Sequence, residues 1–166
     1  MTDVNRVWVL LLLLTLGSGA AAADAQPATF ASLRTAAERG DAPAQFRLAQ
    51  RYRAGDEVAV DELEGLYWNG RAAQQGHAEA QFNQGLHYSA GRLFPPNLVR
   101  AYMWLRLAEA RDQPLAKPLI RQIVANMSQD GVAEAERLVR TWEQTFGSEA
   151  VWSCGEQQAQ PTGDPL

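Results

Sequence analysis

The sequence predicts an all-α chain, a short right-handed solenoid of antiparallel helix pairs with about seven helices. Three observations carry this. A long segment falls onto the next one without a gap at a spacing of 36 residues. Small and aromatic residues recur inside it at helical intervals. Glycines stand where the first helix of each pair must stop. The rest of the composition agrees. The chain has 166 residues, is 46% hydrophobic and 20% charged, and carries a net charge of -4. That excludes a disordered chain, a polytopic membrane protein and a nucleic-acid binder relying on a general basic field. A single cysteine excludes an intramolecular disulfide and any thiolate-rich metal site.

In chain order the first element is a leader. Met1 to Arg6 is short, polar and positive, Val7 to Leu16 is an unbroken apolar run, and Gly17-Ser18-Gly19 ends it before small residues from Ala20 to Ala25. This is the order of a secretory signal, and the run is well short of the ~20 residues that span a bilayer. Ala23-Asp24-Ala25 offers cleavage before Gln26, with Ala21-Ala22-Ala23 as an alternative. Residues 1–25 are expected to be removed, leaving a periplasmic or secreted soluble chain with no stable membrane insertion.

The repeat follows. Gly40 falls on Gly76, Ala42 on Ala78, Ala44-Gln45-Phe46 on Ala80-Gln81-Phe82, Tyr52 on Tyr88, and Ala54-Gly55 on Ala90-Gly91. Farther on, Trp68 meets Trp104 and Ala72 meets Ala108. About ten identities in one period are hard to obtain by chance. The units are about 40–75 and 76–111. Ala44, Leu48 and Tyr52 share one helix face, as do Ala80, Gln84 and Tyr88. Gly55 and Gly91 supply the left-handed residue that stops a helix. Neither helix of a unit buries its face alone, so neighbouring units must stack.

These residues resemble the Sel-one-like repeat, a tetratricopeptide-like family, in the pattern G-D-A-x-A-Q-F…Y-x-x-G followed by A-x-x-W…A-A-x-x-G. Arg100 to Ala108 is similar to the family's second helix, and so is the closing stretch Met127 to Trp142. The resemblance covers Thr29 to Trp142 and implies a small secreted bacterial member with a tetratricopeptide-like fold and a role in holding partner proteins. Gly65 stands where that pattern usually has alanine, and Gly70 adds a second interior glycine, each costing up to ~1 kcal/mol. The first unit's second helix is therefore expected to be the weakest layer. Pro95-Pro96 replaces the usual charged turn in the second unit.

Partial units flank the repeats within residues 26–146. Thr29 to Arg39 reads as a lone helix. Leu115, Leu119, Ile120, Ile123, Val124 and Met127 follow helical spacing, with Pro118 placed in the first turn. Ser128 is a natural N-cap for a last helix with the stripe Val132, Ala135, Leu138, Val139 and Trp142. Residues 147–166 turn to Gly, Ser, Gln, Pro and Asp and read as a flexible tail, with Trp152 placed to dock back on the last helix.

No catalytic constellation emerges, so no catalytic, cofactor or metal residues are assigned and no cofactor is expected. His77-Ala78-Glu79 lacks the P-C-x-x-C of a zinc deaminase, and His77 falls on Asp41 at a helix start, which reads as a surface position. His77 and His87 lack the spacing of two zinc ligands on a helix. Acidic pairs such as Asp56-Glu57 read as solvated. The candidate protein-binding residues are Arg47, Gln50, Arg51, Asn83 and His87, long polar groups rotated away from the Ala–Leu–Tyr stripe. The expected function is a non-catalytic interaction module of the bacterial envelope, a monomer that binds another protein or peptide and no nucleic acid. The alternatives are a periplasmic enzyme or peptidoglycan-active protein, and a self-assembling structural subunit.

Overall fold

A computed structural model describes residues 29–146, which contain seven helices and no strand. They are α1 (Phe30–Glu38), α2 (Ala42–Ala54), α3 (Glu62–Gln74), α4 (Ala78–Ala90), α5 (Leu98–Glu109), α6 (Ala116–Val124) and α7 (Gln129–Phe146). Residues 1–28, which include the expected leader, and residues 147–166 lie outside the described residues.

The 36-residue period is visible in the caps. Asp41 and His77 cap α2 and α4, while Asp61 and Asn97 cap α3 and α5. Gly55 and Gly91 end α2 and α4 in the left-handed region, at φ 71° and 63°. The turn between units recurs three times, with the amides of Asp41, His77 and Gln113 donating to the carbonyls of Ala36, Ala72 and Ala108. Its left-handed residue is Gly40, then Gly76, then Asp112 at φ 59°. A third, divergent unit therefore begins at residue 112.

The helices of each pair cross closely because a small residue sits at the crossing. In the first pair Ala49 faces Gly65; a Cβ on Gly65 would lie 3.3 Å from the Ala49 carbonyl and 2.7 Å from Arg53 Cγ. In the second the roles are exchanged. Gly85 lies on α4, and its added Cβ would stand 3.3 Å from the Ala101 carbonyl and 2.6 Å from Leu105 Cγ. Gly65 is thus a packing residue as well as a helix-propensity cost.

A buried glutamine ties each unit to the one before. Gln45 and Gln81, both fully buried, donate from Nε2 to the carbonyls of Ala37 and Ala73 at 3.0 and 3.1 Å. These carbonyls belong to the last turn of the preceding helix, and each also accepts the amide of the turn glycine, Gly40 or Gly76.

The core is continuous through α5, whose Met103, Trp104, Leu105 and Leu107 are all buried. At the C-terminal end α6 and α7 both pack on α5 rather than chiefly on each other. Ser128 caps α7, its Oγ accepting from the Gly131 amide at 3.1 Å, and Ala135, Val139 and Trp142 are buried as the spacing predicts. In α6 the expected stripe holds only in part. Ile120 and Ile123 are buried, but Leu115 and Val124 are exposed, because this shortened helix packs chiefly on α5.

Candidate functional site

The five residues singled out by the repeat register do not form one surface. Arg47, Gln50 and Arg51 lie together on α2, beside Leu33 of α1, in an open hollow of about 380 Å³. Arg51 is not a free solvent-facing cation, however. It reaches Asp56 at 2.7 Å and Glu57 at 2.8 Å and is largely covered. The Asp56-Glu57 pair is correspondingly structural rather than merely solvated. Glu57 also accepts the Phe30 amide at 2.7 Å, and these contacts, the amide first, hold its carboxyl below the usual range. Asn83 lies against α3, donating to Asn69 Oδ1 at the long limit of 3.5 Å. His87 is half-buried among Leu66, Leu93, Phe94 and Pro95 rather than solvent-facing.

His77 likewise departs from a surface reading. Its Nδ1 accepts the Ala80 amide as the α4 cap, and its ring stacks on Phe46 with centroids 4.5 Å apart. Burial first, then the Arg47 charge, lowers its pKa against an opposing pull from Glu79. Burial also lowers that of His87, helped by Arg53 and Arg92. Both rings thus favour the neutral form. Among the described residues no three of His, Cys, Asp and Glu converge as a metal site.

A second concavity collects most of the unassigned aromatic surface. The outer side of α3 forms one wall with Leu66, Tyr67, Gly70, Arg71 and Gln74, and Trp142 and Phe146 of α7 form the other. Gln84 and Tyr88 of α4 and Trp104 of α5 make the floor of this groove of about 220 Å³. A smaller hollow of about 60 Å³ shares Leu66, Gln84 and Tyr88 with it and extends it to His87, Leu93, Phe94 and Pro95. The groove therefore runs along α3 from the Gln74 end to the loop between α4 and α5. It exists because α7 leaves α6 to pack on α5, and because Gly70 leaves room in the α3 wall. A Cβ there would meet Gln84 Nε2 at 3.1 Å.

Its chemistry is aromatic with a basic edge. Tyr67 and Phe94, which line the groove, are 52% and 56% exposed, so apolar surface faces solvent there. Guanidinium groups back the rings. Arg111 lies 5.1 Å from the Trp142 ring centre, Arg100 lies 5.6 Å from that of Tyr88, and Arg71 donates to the Tyr67 hydroxyl at 3.4 Å. Three buried polar atoms of the walls and floor have no hydrogen-bond partner: Trp104 Nε1, Trp142 Nε1 and Gln84 Oε1. Each such group costs about 1–3 kcal/mol. They are closed off from solvent, so an incoming donor or acceptor reaches them only if the side chains turn.

The repeat register led to α2 and α4 and passed over this groove, because Trp104 and Trp142 read from sequence as core alone. Both are buried, and both also border the groove. The signal that could have found it was Tyr67 with Arg71, an aromatic–basic i, i+4 pair on α3.

The sequence model of the Sel1 repeat matches residues 42–77 and 78–112. The chain is 31% identical over 121 residues, 69% of its length, to the alginate biosynthesis protein AlgK of Azotobacter vinelandii, of which it covers 24%. The fold is similar to the crystal structure of c5321, a protective antigen present in uropathogenic Escherichia coli strains displaying an SLR fold. That likeness has a TM-score of 0.66 at 27% identity, over 81% of this chain and 30% of that one. A Sel1 repeat protein from Oxalobacter formigenes shares the fold with a TM-score of 0.52 at 23% identity, over 68% of this chain and 97% of that one. The chain thus spans about a quarter of the curated relative and under a third of the E. coli structure.

Proposed function

We propose that this chain, a member of the Sel1 repeat family, is a non-catalytic module that holds a segment of another protein in the α3–α7 groove. Sel1 repeat proteins generally mediate protein–protein interaction. The observation that carries the groove reading is the exposed Tyr67 and Phe94 beside a floor of Gln84, Tyr88 and Trp104. An extended polypeptide suits it, because its side chains cover the aromatic line. Its main-chain carbonyls and amides also complement the unpaired indole N–H groups and the Gln84 amide oxygen once these turn outward.

An exported, envelope-associated location is part of the proposal. The polar-positive, apolar, small-residue order of residues 1–25 supports it, with cleavage before Gln26. No described helix is long and apolar enough to cross a membrane. The similarity to an alginate biosynthesis protein and to a protective antigen fits a chain working outside the cytoplasm. End-to-end self-assembly finds no support on the last helix, whose outer face carries Arg137, Arg140, Thr141 and Glu143 in exposed positions.

The α2 face with Arg47 and Gln50 is the competing surface, and charge substitutions separate the two. Tyr67→Glu with Phe94→Glu is expected to abolish capture of envelope partners, read by quantitative mass spectrometry, with the melting temperature nearly unchanged. Arg47→Glu is expected to leave capture intact. The reverse pattern places the site on α2 and refutes the groove.

A further inference from the structure

Tyr67 and Arg71 stand one turn apart on α3, and both line the groove. Arg71 Nη1 donates to the Tyr67 hydroxyl at 3.4 Å, which leaves the hydroxyl's own hydrogen for another acceptor. The Tyr67 ring is braced edge-on by Trp68, with centroids 5.1 Å apart. Among the described residues Arg71 makes no ion pair. No described aspartate or glutamate lines the groove or its extension. We infer that the Tyr67–Arg71 pair is a seat for a carboxylate, filled by a glutamate or aspartate side chain of the partner segment. The inference rests on the groove being the binding site and names the chemistry of its occupant.

The second repeat holds such a pair already filled. Tyr102 and Arg106 of α5 have the same one-turn spacing. The Tyr102 hydroxyl donates to Glu136 of α7, and Arg106 Nε lies 3.4 Å from the same carboxylate oxygen. That carboxylate therefore arrives on a polypeptide docked against α5. Arg106 also pairs with Glu109, three residues on, whereas the residue three beyond Arg71 is Gln74, a neutral amide that lines the groove. Arg71 thus keeps for an incoming group the charge that Arg106 divides between two carboxylates. The triplets Tyr67–Arg71–Gln74 and Tyr102–Arg106–Glu109 lie 35 residues apart, one short of the repeat spacing. One residue is about 100° around a helix, so the pair on α3 falls outside the register of the repeat.

A carboxylate seated here accepts from the hydroxyl and the guanidinium together, and charge-assisted bonds of this kind are the strong ones. Leu66, where the groove meets its extension toward Phe94, lies about 7.5 Å along α3 from Arg71. An extended chain covers that distance in roughly two residues. The acidic residue is therefore expected about two to four positions from the apolar side chain that covers Phe94.

A phage-displayed library of random short peptides, selected on the full chain, tests this without knowledge of the partner. Groove peptides are those whose binding Phe94→Ser weakens. They are expected to carry an acidic residue at the stated spacing from an apolar one. Replacing that acid by its amide should weaken binding at least about tenfold, read by fluorescence anisotropy, and should change almost nothing against Arg71→Gln. Tyr67→Phe, which removes only the hydroxyl, should weaken the acidic peptide and spare its amide form. Groove peptides that lack the acid overturn the inference and leave the groove as the binding site. An acid that matters equally in the wild type and in Arg71→Gln overturns it too. Peptides indifferent to Phe94→Ser, Tyr67→Phe and Arg71→Gln alike overturn both readings. Self-association of the chain that Arg71→Gln abolishes, in place of peptide binding, also overturns the inference, since the occupant is then a second copy.

Discussion

Gln75 of the first repeat and Arg111 of the second stand at the same position, 36 residues apart, and do opposite things. Gln75 turns inward and donates to Gln45 Oε1 at 2.6 Å, completing the buried glutamine that ties α2 to α1. Arg111 turns outward onto the Trp142 ring, and the matching atom, Gln81 Oε1, is left without a partner. The second unit has lost a buried hydrogen bond and gained an attachment for α7. The same trade recurs elsewhere. Arg51 is tied to Asp56 and Glu57 in the first unit, whereas its counterpart His87 borders the groove. Trp68 donates to Glu64 at 3.0 Å near the surface, whereas Trp104 is buried with its N–H unpaired. The first repeat is the better satisfied structural unit, and the second carries the groove.

The largest expected break in this comparison comes from the two tryptophans. Trp104→Ala should cost about 3–5 kcal/mol, because it opens a cavity among Met103, Leu107 and Trp142. Trp68→Ala, at the half-buried equivalent, should cost under about 2 kcal/mol. Urea denaturation of both variants decides it, and equal losses would mean that the units bear equal structural weight.

The glutamines come next. Gln45→Ala removes two hydrogen bonds, to the Ala37 carbonyl and from Gln75 Nε2, whereas Gln81→Ala removes one and abolishes an acceptor that is already orphaned. The first should cost more than the second by about 1 kcal/mol. Reversed costs would show that the two tethers are not ranked by their hydrogen bonds.

Much of this architecture is legible in the residues. The Gly55 and Gly91 stops, the Ser128 cap and the α7 stripe follow from spacing and local chemistry alone. The identical Gln45 and Gln81 are visible in the alignment of the repeats, but their purpose is not, since it depends on a carbonyl eight residues back meeting them in space. The third turn is nearly hidden, because Asp112 takes the left-handed conformation that Gly40 and Gly76 hold before it. The groove was the least legible part. It arises from α7 packing on α5, and the sequence of one helix does not say which neighbour it will choose.

A smaller effect sharpens the contrast at the caps, where Asp41 serves the first repeat and His77 the second. The folded state holds His77 neutral, with its pKa below the ordinary 6.5. Its contribution is therefore full above 6.5, the value in the unfolded chain, and is lost as pH falls from there through the lower folded value. Unfolding free energy should fall across this window as the imidazole takes its proton, and His77→Asn should flatten that slope. Denaturation of both chains at about pH 7.5 and 5.5 checks this, with parallel slopes counting against it.

The central claim, that a partner protein sits between α3 and α7, is tested most directly by photo-crosslinking in the envelope. A photoreactive side chain at Tyr67 should give a discrete adduct with a partner protein, and the same group at Arg47 should give none. An adduct at Arg47 with none at Tyr67 would contradict the account and put the binding surface on α2.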